Sequence, residues 1–468
     1  MNKLVKTLRE AMELAGLKDG MSISFHHHLR NGDRVLNMVL ETAAQMGLKD
    51  LTVQASSIFD VHAPLVGHIQ SGVVTAIETD YMSGSVARVV SEGVLKKPVR
   101  FRSHGGRPEA IASGRVRIDV AFIAAPCCDA MGNINGVEGR AACGSLGYAF
   151  ADALYAGKVI AVTDNLAPYP VSPVSIDETL VDYVVVVDCI GDPAGIVSGT
   201  TRITRDPVGL KIARDAARVI EHSGLLQDGF SFQTGAGGAS LAVTQYLAPV
   251  MREKGIVGSF GLGGITGYMV DMLNDGCFRS LLDVQCFDLK AVASLRENPN
   301  HQEISAMRYA SPGSKSSAVD SLDVVILGAT EMDVDFNVNV HTDSNGYIIG
   351  GSGGHSDTAA GAKLTMIVAP LFRARLPIVT DRVTTVSTPG STVDVLVTQR
   401  GIAVNPAKPQ LAGALKDAGL SVVPIEALRD LAERFTGKPE KLRHGNRVVG
   451  EVEYRDGRVL DRIYNVEG

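Results

Sequence analysis

The chain has 468 residues, which is too many for one ordinary hydrophobic core, so two or more domains are expected. A hydrophobic fraction of 45%, a charged fraction of 21% and a net charge of −6 are typical of a globular protein, and the lack of a basic block argues against nucleic acid as a partner. The apolar runs reach only the length of a strand, so no membrane-spanning segment is predicted.

The N-terminal segment, MNKLVKTLREAMELAGLKDG, has apolar side chains at helical spacing. Glu10 and Glu13 lie among its basic residues, and it lacks the apolar core of a signal peptide. The six cysteines form no C-x-x-C pair and show no zinc-ligand spacing, so we expect reduced thiols and no bound metal. Together these features predict a cytoplasmic protein.

The first predicted strand leads into a segment rich in cationic donors, SFHHHLRNGD (24–33), at a predicted helix start. Up to four such donors come from His26, His27, His28 and Arg30. A helix N-terminus adds free N–H groups and partial positive charge, so the pattern favours binding of a polycarboxylate. A structural role and a metal site stay open as alternatives.

Two pairs of segments in the chain repeat each other. AGLKDGMSISF (15–25) aligns with SGLLQDGFSF (223–232) at an offset of 209 residues. IDVAFIAAPCCDAMGNIN, from Ile118, aligns with LDVVILGATEMDVDFNVN, from Leu322, at an offset of 204 residues. Nearly constant offsets over several predicted elements indicate a duplicated fold.

The predicted strands are continuous runs of Val, Ile and Leu separated by helical segments, a pattern typical of parallel strands buried on both faces. We therefore predict an α/β fold of two duplicated, doubly wound, mostly parallel-sheet domains, spanning residues 1–205 and 206–468. The tail RVVGEVEYRDGRVLDRIYNV (447–466) alternates around Asp456-Gly457 and predicts a β-hairpin that ends the second domain.

Two glycine-rich segments of the second half are candidates for close contact between backbone and ligand, since ligands bind beyond the carboxyl ends of parallel strands. QTGAGGAS (233–240) lacks the P-loop lysine and the full dinucleotide fingerprint, so a backbone cradle and a tight strand–helix turn both stay open. GSFGLGGITG (258–267) contains five glycines but no acid, base or strong nucleophile, and we expect a turn there.

A third glycine-rich segment, GGSGGHSDTAAGA (350–362), predicts a helix preceded by Gly353 and Gly354, with His355 in its first turn. Backbone N–H groups at that position suit a developing oxyanion. His355 is either a further donor or a capped surface residue. SHGGR (103–107) is a weaker pattern of the same kind in the first half.

The sequence contains no G-x-S-x-G elbow, no H-E-x-x-H motif and no P-loop lysine. Candidate sites rich in backbone donors and poor in nucleophiles favour a substrate that brings its own nucleophile. A carboxylate does so, because it is ionised at neutral pH. Acyl transfer from a thioester to a carboxylate needs alignment of the reactants and an oxyanion hole.

As a set, eight segments resemble the alpha subunit of citrate lyase, over essentially the whole chain. They are SISFHHHLRNGD, RSHGGRPEAI, CGSLGYAFADA, FSFQTGAGGASLAVT, FGLGGITG, NPNHQEISAMRYASPGSKSS, DFNVNVHTDSNG and GGSGGHSDTAAGAKLTMIVAP. More distantly, both halves resemble the CoA-transferase fold, which is built from two similar α/β domains.

The resemblance implies a citrate CoA-transferase that exchanges acetyl for citryl on a carrier-protein or CoA thioester and releases acetate. It implies a direct mixed-anhydride route without an acyl-enzyme. The expected partners are a beta subunit and a gamma acyl carrier protein, within a homo- or hetero-oligomer. No cofactor is expected to bind tightly; the carrier brings a CoA-derived prosthetic group, for which acetyl-CoA is a surrogate.

Many CoA-transferases carry a catalytic Glu in a strand-end motif, Glu-Asn-Gly-x-x-Gly. Here Gly264 and Gly267 match its two glycines, while Leu262 falls where Glu would be and Gly263 where Asn would be. The covalent glutamyl-thioester route is therefore predicted to be closed at this position.

By this resemblance the candidate residues fall into three groups. The citrate ligands would be His26, His27, His28, Arg30 and Asn31; the carrier arm would contact Gly235, Gly237, Gly238, Gly263 and Gly264; and the oxyanion donors would be Gly353, Gly354 and His355. One alternative is a covalent CoA-transferase or acyl-CoA hydrolase that uses Glu331. Another is a non-catalytic ligand-binding subunit on the same fold.

Overall fold

The computed structural model describes residues 3–197, 201–440 and 443–467. The strands of this part of the chain are β1 (Leu4–Val5), β2 (Ser22–Phe25), β3 (Leu51–Ala55), β4 (Val74–Thr79), β5 (Val99–Phe101), β6 (Val120–Ala125), β7 (Cys127–Asp129), β8 (Ile134–Asn135), β9 (Lys158–Thr163), β10 (Leu166–Ala167), β11 (Tyr183–Val186), β12 (Ser231–Thr234), β13 (Gly258–Ile265), β14 (Phe278–Cys286), β15 (His301–Glu303), β16 (Val324–Leu327), β17 (Glu331–Asp333), β18 (Val338–Asn339), β19 (Leu364–Val368), β20 (Phe372–Arg373), β21 (Leu376–Pro377), β22 (Val379–Thr380), β23 (Val395–Thr398), β24 (Gly401–Val404), β25 (Val448–Glu453) and β26 (Val459–Tyr464).

The helices of the described residues are α1 (Leu8–Leu14), α2 (Val35–Gln45), α3 (Leu65–Gln70), α4 (Gly84–Ser91), α5 (Gly106–Ala112), α6 (Ala149–Tyr155), α7 (Pro207–His222), α8 (Gly238–Glu253), α9 (Gly267–Asn274), α10 (Leu289–Glu297), α11 (Ala306–Ala310), α12 (His355–Gly361), α13 (Pro409–Asp417) and α14 (Ile425–Thr436). None of these helices combines the length and apolarity needed to cross a bilayer.

Two large sheets carry the fold, and they share one strand order. The first sheet runs β1-β11-β9-β6-β2-β3-β4-β5-β25-β26, and the second runs β15-β14-β13-β12-β16-β19-β23-β24. Read from β5 to β11 and from β15 to β23, the strands correspond one to one, and all the pairs between them are parallel. Strands such as β6 are buried along their whole length, which explains their unbroken apolar sequences. The predicted duplicated α/β fold is confirmed.

The same hydrogen bonds recur at matching positions of the two halves. The Ser22 amide donates to a carboxylate oxygen of Asp119 at 2.9 Å, and the Ser231 amide donates to Asp323 at 2.9 Å. In both halves the serine hydroxyl also lies within reach of that carboxylate. This contact ties the start of the central strand to the next strand of the sheet, which is why Asp-initiated strands mark the repeat in the sequence.

The C-terminal hairpin formed by β25 and β26 is present as predicted, but its position in the fold is different. Its first strand pairs in parallel with β5, through Gly450 with Val99 and Val452 with Phe101. The hairpin therefore extends the sheet of the first half, although the sequence assigned it to the second. Arg100 and Arg102 stabilise the contact by ion pairs with acidic residues of β25. The boundary between residues 205 and 206 itself stays a prediction.

Candidate functional site

Loops that follow the carboxyl ends of parallel strands meet between the two halves. The His104 amide donates to the Gly353 carbonyl at 2.8 Å, and the Gln285 side-chain amide donates to the His27 carbonyl at 2.7 Å. Ring contacts and packing gather side chains here that we call the central cluster: His27, Arg30, Phe59, His104, Tyr148 and Phe287. The cluster lies at the edge of the sheets where the sequence predicted ligand binding.

The three adjacent histidines have separate environments. His26 Nε2 lies 2.8 Å from an Asp152 oxygen, and Arg107 binds both oxygens of the same carboxylate at 2.7 and 2.8 Å. All three side chains are buried. Burial alone would raise the pKa of Asp152, but Arg107 and His26 outweigh it and hold that pKa well below its usual range. His26 therefore lies in a buried hydrogen-bond network around the Arg107–Asp152 ion pair, and this network supports the loop.

His28 and His27 do not supply the positive charge expected from the sequence. Burial lowers the pKa of His28 to about 4, and its Nε2 lies 2.9 Å from the Ala124 carbonyl. Burial, with the neighbouring His104 and Arg30, also lowers the pKa of His27 well below its usual value. Both imidazoles are thus neutral at pH 7. The prediction of up to four cationic donors is wrong for these two histidines, because burial excludes solvent and disfavours the charged imidazolium.

His27 nevertheless offers a hydrogen-bond donor to the central cluster. Its backbone amide donates to Ser56 Oγ at 3.1 Å, and its Nδ1 lies 2.6 Å from the same oxygen. The simplest assignment has the Ser56 hydroxyl donating to Nδ1, so that the single imidazole proton sits on Nε2. The structure gives Nε2 no hydrogen-bond partner among the described residues.

Arg30 is the cation of the central cluster. Its guanidinium carbon lies 5.2 Å from the ring centre of Phe59 and 4.8 Å from that of Phe287, which come from opposite halves of the chain. Among the described residues no carboxylate forms an ion pair with it, and its Nε is sealed from solvent without a partner. Burial accordingly lowers its pKa, although it stays charged at pH 7. The neighbouring Asn31 is exposed.

The backbone at Arg30 adopts a left-handed conformation, with φ of 50°. This conformation is unfavourable for a side chain of this type and persists where the surroundings enforce it. Here the turn that contains Gly32 packs closely against the loop that contains Asp192, since a Cβ on Gly32 would lie 1.9 Å from the Asp192 carbonyl oxygen. The strain and the unpaired charge fall on the same residue, which is typical of a ligand-binding position.

His104 belongs to a second histidine–carboxylate pair, which faces the cluster. Its Nδ1 lies 2.9 Å from Asp80 Oδ2; its ring stacks on His27 with a centroid distance of 5.4 Å and packs at a tilt against Tyr148 with a centroid distance of 4.5 Å. Burial raises the pKa of Asp80, and the hydrogen bond to His104 partly offsets that increase. Asp80 follows β4 and His104 follows β5, so adjacent parallel strands deliver the pair to one place.

The glycine-rich segment 258–267 is mostly the strand β13 and not the expected turn. Glycine is required there by packing against neighbouring side chains. A Cβ on Gly258 would lie 2.5 Å from the Phe278 ring, and one on Gly264 would lie 2.2 Å from the Phe287 ring. Gly263 has φ of 101° at a bulge in the pairing of β13 with β14, so the backbone bends at the edge of the cluster.

Leu262 is buried in an apolar cluster of the second half, with only 2% of its surface exposed. Leu262 occupies the position of the catalytic Glu in the motif Glu-Asn-Gly-x-x-Gly, and it has no polar group there. The rival candidate, Glu331, is also engaged elsewhere. Its carboxylate accepts hydrogen bonds from Asn339 and from the backbone and hydroxyl of Thr384. None of these residues belongs to the central cluster.

The loop after β12 lies beside the same sheet edge. The Gly235 amide donates to the Ile326 carbonyl at 2.6 Å, and Gly237 and Gly238 begin α8. A Cβ on Gly238 would lie 2.9 Å from the Arg202 carbonyl oxygen. The connection between the halves thus packs directly on the loop. A surface cavity of about 650 Å³ lies there, lined by Arg202, Ile203, Thr204, Arg205, Leu210, Gln245 and Tyr268.

The three predicted oxyanion donors also differ from one another. Gly353 and Gly354 are at the cluster: a Cβ on Gly353 would lie 3.3 Å from His104 Nε2, and one on Gly354 would lie 2.4 Å from the Tyr309 hydroxyl. His355 is buried, with its ring nitrogens 2.8 Å from Thr388 Oγ1 and 2.9 Å from the Gly328 carbonyl. Burial lowers its pKa to about 4. Both nitrogens are occupied, so His355 has no free N–H in this conformation.

Sequence reasoning missed Tyr148 and Phe287 of the central cluster, and also Asp80, the partner of His104. A signal existed for Asp80, since it directly follows VVTAIET (73–79), a run rich in residues that favour strands. Nothing in the sequence pairs it with His104 or brings Phe287 onto Arg30, because those contacts depend on how the two halves dock. In the described residues no group of three or more His, Cys, Asp and Glu is arranged to hold a metal ion.

The sequence profile of the family described as "Citrate lyase, alpha subunit (CitF)" matches residues 1–466. The chain belongs to the citrate lyase alpha subunit family. The citrate lyase alpha chain of Klebsiella pneumoniae is 52% identical to it over 465 residues, which cover 99% of this chain and 92% of that protein. The alpha chain of Escherichia coli K12 is 53% identical, with coverage of 99% and 91%.

Solved structures place this family member in a wider fold group. A crystal structure from Streptococcus mutans, named as the alpha subunit of citrate lyase in complex with citrate, matches with a TM-score of 0.98 and 50% identity, covering 100% of this chain and 92% of that one. The malonate decarboxylase alpha subunit from Acinetobacter baumannii matches with a TM-score of 0.70 over 93% of each chain. At 17% identity the second likeness concerns the fold alone.

Proposed function

We propose that this chain exchanges acetyl for citryl on the thioester of an acyl carrier protein or CoA, as the alpha subunit of a cytoplasmic citrate lyase. The observation that carries the proposal is the composition of the central cluster. It joins an unpaired arginine and a neutral histidine donor of the first half and lies beside glycine backbone of the second half, while Leu262, at the strand-end position of a nucleophile in many CoA-transferases, is apolar. Such a site aligns two substrates and stabilises charge.

Citrate would bind on the side of the first half. Arg30 is the group best suited to a carboxylate, because a planar guanidinium forms paired hydrogen bonds with it and none of its donors is committed to a described carboxylate. His27 Nε2–H would donate to a second carboxylate or to the hydroxyl of citrate. His26 and His28 would act indirectly, because their ring nitrogens Nε2 are bound to protein groups. Asn31 would contact citrate at the exposed edge.

The thioester would approach from the second half. The bulge at Gly263 and Gly264 and the loop of Gly235, Gly237 and Gly238 would lie against a narrow acyl-carrying arm, because glycine lets a ligand approach the backbone closely. No cofactor of this chain takes part. The carrier's prosthetic group would be a substrate delivered by a gamma subunit, and the citryl thioester would pass to a beta subunit for cleavage.

In the reaction, a citrate carboxylate would attack the acetyl carbonyl, giving a mixed anhydride and free thiol, and the thiol would then attack the citryl carbonyl and release acetate. The amide of Gly354 would stabilise the oxyanions, as preorganised donors do in acyl transfer, whereas the Gly353 amide donates to the Asp80 carbonyl at 3.1 Å. We retain Gly354 for that role and leave out Gly353 and His355, whose N–H groups are occupied.

An exchange assay tests this proposal. Purified protein receives acetyl-CoA and labelled citrate, and products and intact protein mass are followed by mass spectrometry after a borohydride quench. We expect citryl-CoA and acetate with no change in protein mass. A protein adduct would contradict the direct route and point to a carboxylate nucleophile. Citrate binding without product, with acetylated carrier protein as well as acetyl-CoA, would favour a non-catalytic ligand-binding subunit.

A further inference from the structure

The pair formed by His104 and Asp80 has the geometry of a supported proton carrier. Asp80 is sealed from solvent, with 1% of its side chain exposed, while His104 retains 13%. The carboxylate accepts from His104 Nδ1–H, which fixes the tautomer and leaves the lone pair on Nε2. When Nε2 gains a proton, the same carboxylate stabilises the imidazolium. This arrangement suits a group that both accepts and donates a proton.

Nε2 of His104 lies beside Gly353, which directly precedes the Gly354 amide that we assign to oxyanion binding. A Cβ on Gly353 would lie 3.3 Å from Nε2, and Gly353 has φ of 50°, a conformation that disfavours a side chain. Two backbone hydrogen bonds hold the parts in register. His104 N–H donates to the Gly353 carbonyl at 2.8 Å, and Gly353 N–H donates to the Asp80 carbonyl at 3.1 Å. The acidic partner, the imidazole and the glycine therefore form one rigid unit.

The other titratable groups of the central cluster are poorly suited to this task. His27 resists protonation, because burial and neighbouring cations lower its pKa. Burial raises the pKa of Tyr148 well above its usual value. Arg30 stays charged. Within the described part of the cluster, His104 is thus the group with both a free nitrogen and a carboxylate that stabilises its protonated form.

We propose that His104, positioned by Asp80, is the general acid–base that carries the thiol proton during acyl exchange. This inference rests on the proposed function. In the first step, the citrate carboxylate bonds to the acetyl carbon and the carbon–sulfur bond breaks. The electron pair goes to sulfur, which takes the proton from Nε2 and leaves as a neutral thiol.

In the second step the proton returns. As sulfur attacks the citryl carbonyl of the anhydride, Nε2 removes its proton, and acetate leaves as an anion. The imidazolium is then ready for the next cycle, and no net proton is gained or lost. His104 is the catalytic residue in this scheme, and Asp80 is a positioning residue that acts through it.

The test compares two thioesters whose leaving thiols differ in acidity, so that one needs a proton to leave and the other does not. His104→Gln is compared with the wild type on acetyl-CoA and on an acetyl ester of 4-nitrothiophenol, whose thiol is acidic enough to leave as the anion. Release of thiol with citrate as acceptor is measured in both cases. General acid–base catalysis contributes about 10²- to 10⁴-fold. We expect a loss of that size with acetyl-CoA and a loss of less than tenfold with the aryl thioester.

Two further variants make the result specific. Asp80→Asn should likewise lose much more activity with acetyl-CoA than with the aryl thioester, because it disturbs the tautomer of His104 but not the leaving group. His68→Gln replaces a histidine of α3 that lies outside the cluster, and it should leave both rates unchanged. An equal loss on both thioesters, or no loss at all, would overturn the proposed proton transfer. Failure of the proposed function would be seen separately, as absence of citryl-CoA from the wild type.

Discussion

Arg30 provides a test that separates ligand binding from structural support. Arg30→Gln removes the charge while keeping a shorter side chain that still donates hydrogen bonds. A hydrogen bond to a charged group contributes about 1.5–3 kcal/mol, so we expect the dissociation constant of citrate to rise about 10- to 100-fold. Isothermal titration calorimetry at pH 7 measures this. Arg34→Gln, at the exposed start of α2, is the matched control and should bind citrate normally.

The stability of the same variant should change little. Arg30→Gln removes two cation–π contacts, each worth about 0.5–2 kcal/mol, and this loss destabilises the fold. It also removes a buried charge that has no ion-pair partner, and this removal stabilises the fold. We therefore expect the free energy of unfolding without citrate to change by less than about 2 kcal/mol. Thermal stabilisation by citrate should be largely lost. A variant that binds citrate normally, or that unfolds several kcal/mol more easily without it, would refute the assignment of Arg30 as a ligand.

Three further changes test the supporting structure. Arg107→Leu leaves the buried Asp152 carboxylate without its bidentate partner, and chemical denaturation should show a loss of about 3–5 kcal/mol. Burial raises the pKa of Asp357 to about 6, so the folded state binds a proton more tightly than the unfolded chain. The free energy of unfolding should therefore fall by about 2 kcal/mol between pH 4 and pH 7, relative to Asp357→Asn, in denaturant titrations at both pH values. Gly264→Ala would place a Cβ 2.2 Å from the Phe287 ring, which packs on Arg30. The displaced ring should move Arg30, so calorimetry should show weaker citrate binding while the circular dichroism spectrum stays unchanged.

The parts of the fold that follow local rules could be predicted from the sequence. Continuous apolar strands indicate burial on both faces of the sheet. Repeated strands that begin with Asp indicate the duplication, because Asp119 and Asp323 make equivalent contacts. The location of the candidate site was also predictable, since loops at the carboxyl ends of parallel strands converge. These features depend on residues close in sequence or on periodicity.

The remaining features depend on contacts between distant parts of the chain. The pairing of β25 with β5 joins residues about 350 positions apart, and alternation alone does not choose between two sheets with exposed edges. The glycines of β13 resemble those of a turn until Phe278 and Phe287 are seen to fill the space beside them. Likewise, the charge of His28 depends on burial, which a run of three histidines does not reveal.

The neutral histidines have a consequence for how citrate would react. An arginine paired with a carboxylate stabilises its charge and makes it less basic, and hence a weaker nucleophile. A site with four cations would hold citrate tightly but would weaken the carboxylate that must attack. With His27 and His28 neutral, Arg30 can hold one non-reacting carboxylate while the attacking one meets the uncharged His27 donor, and the imidazolium of His104 serves the sulfur. On this view, Arg30→Gln should raise the KM for citrate much more than it lowers kcat, whereas loss of the His104 proton carrier should lower kcat.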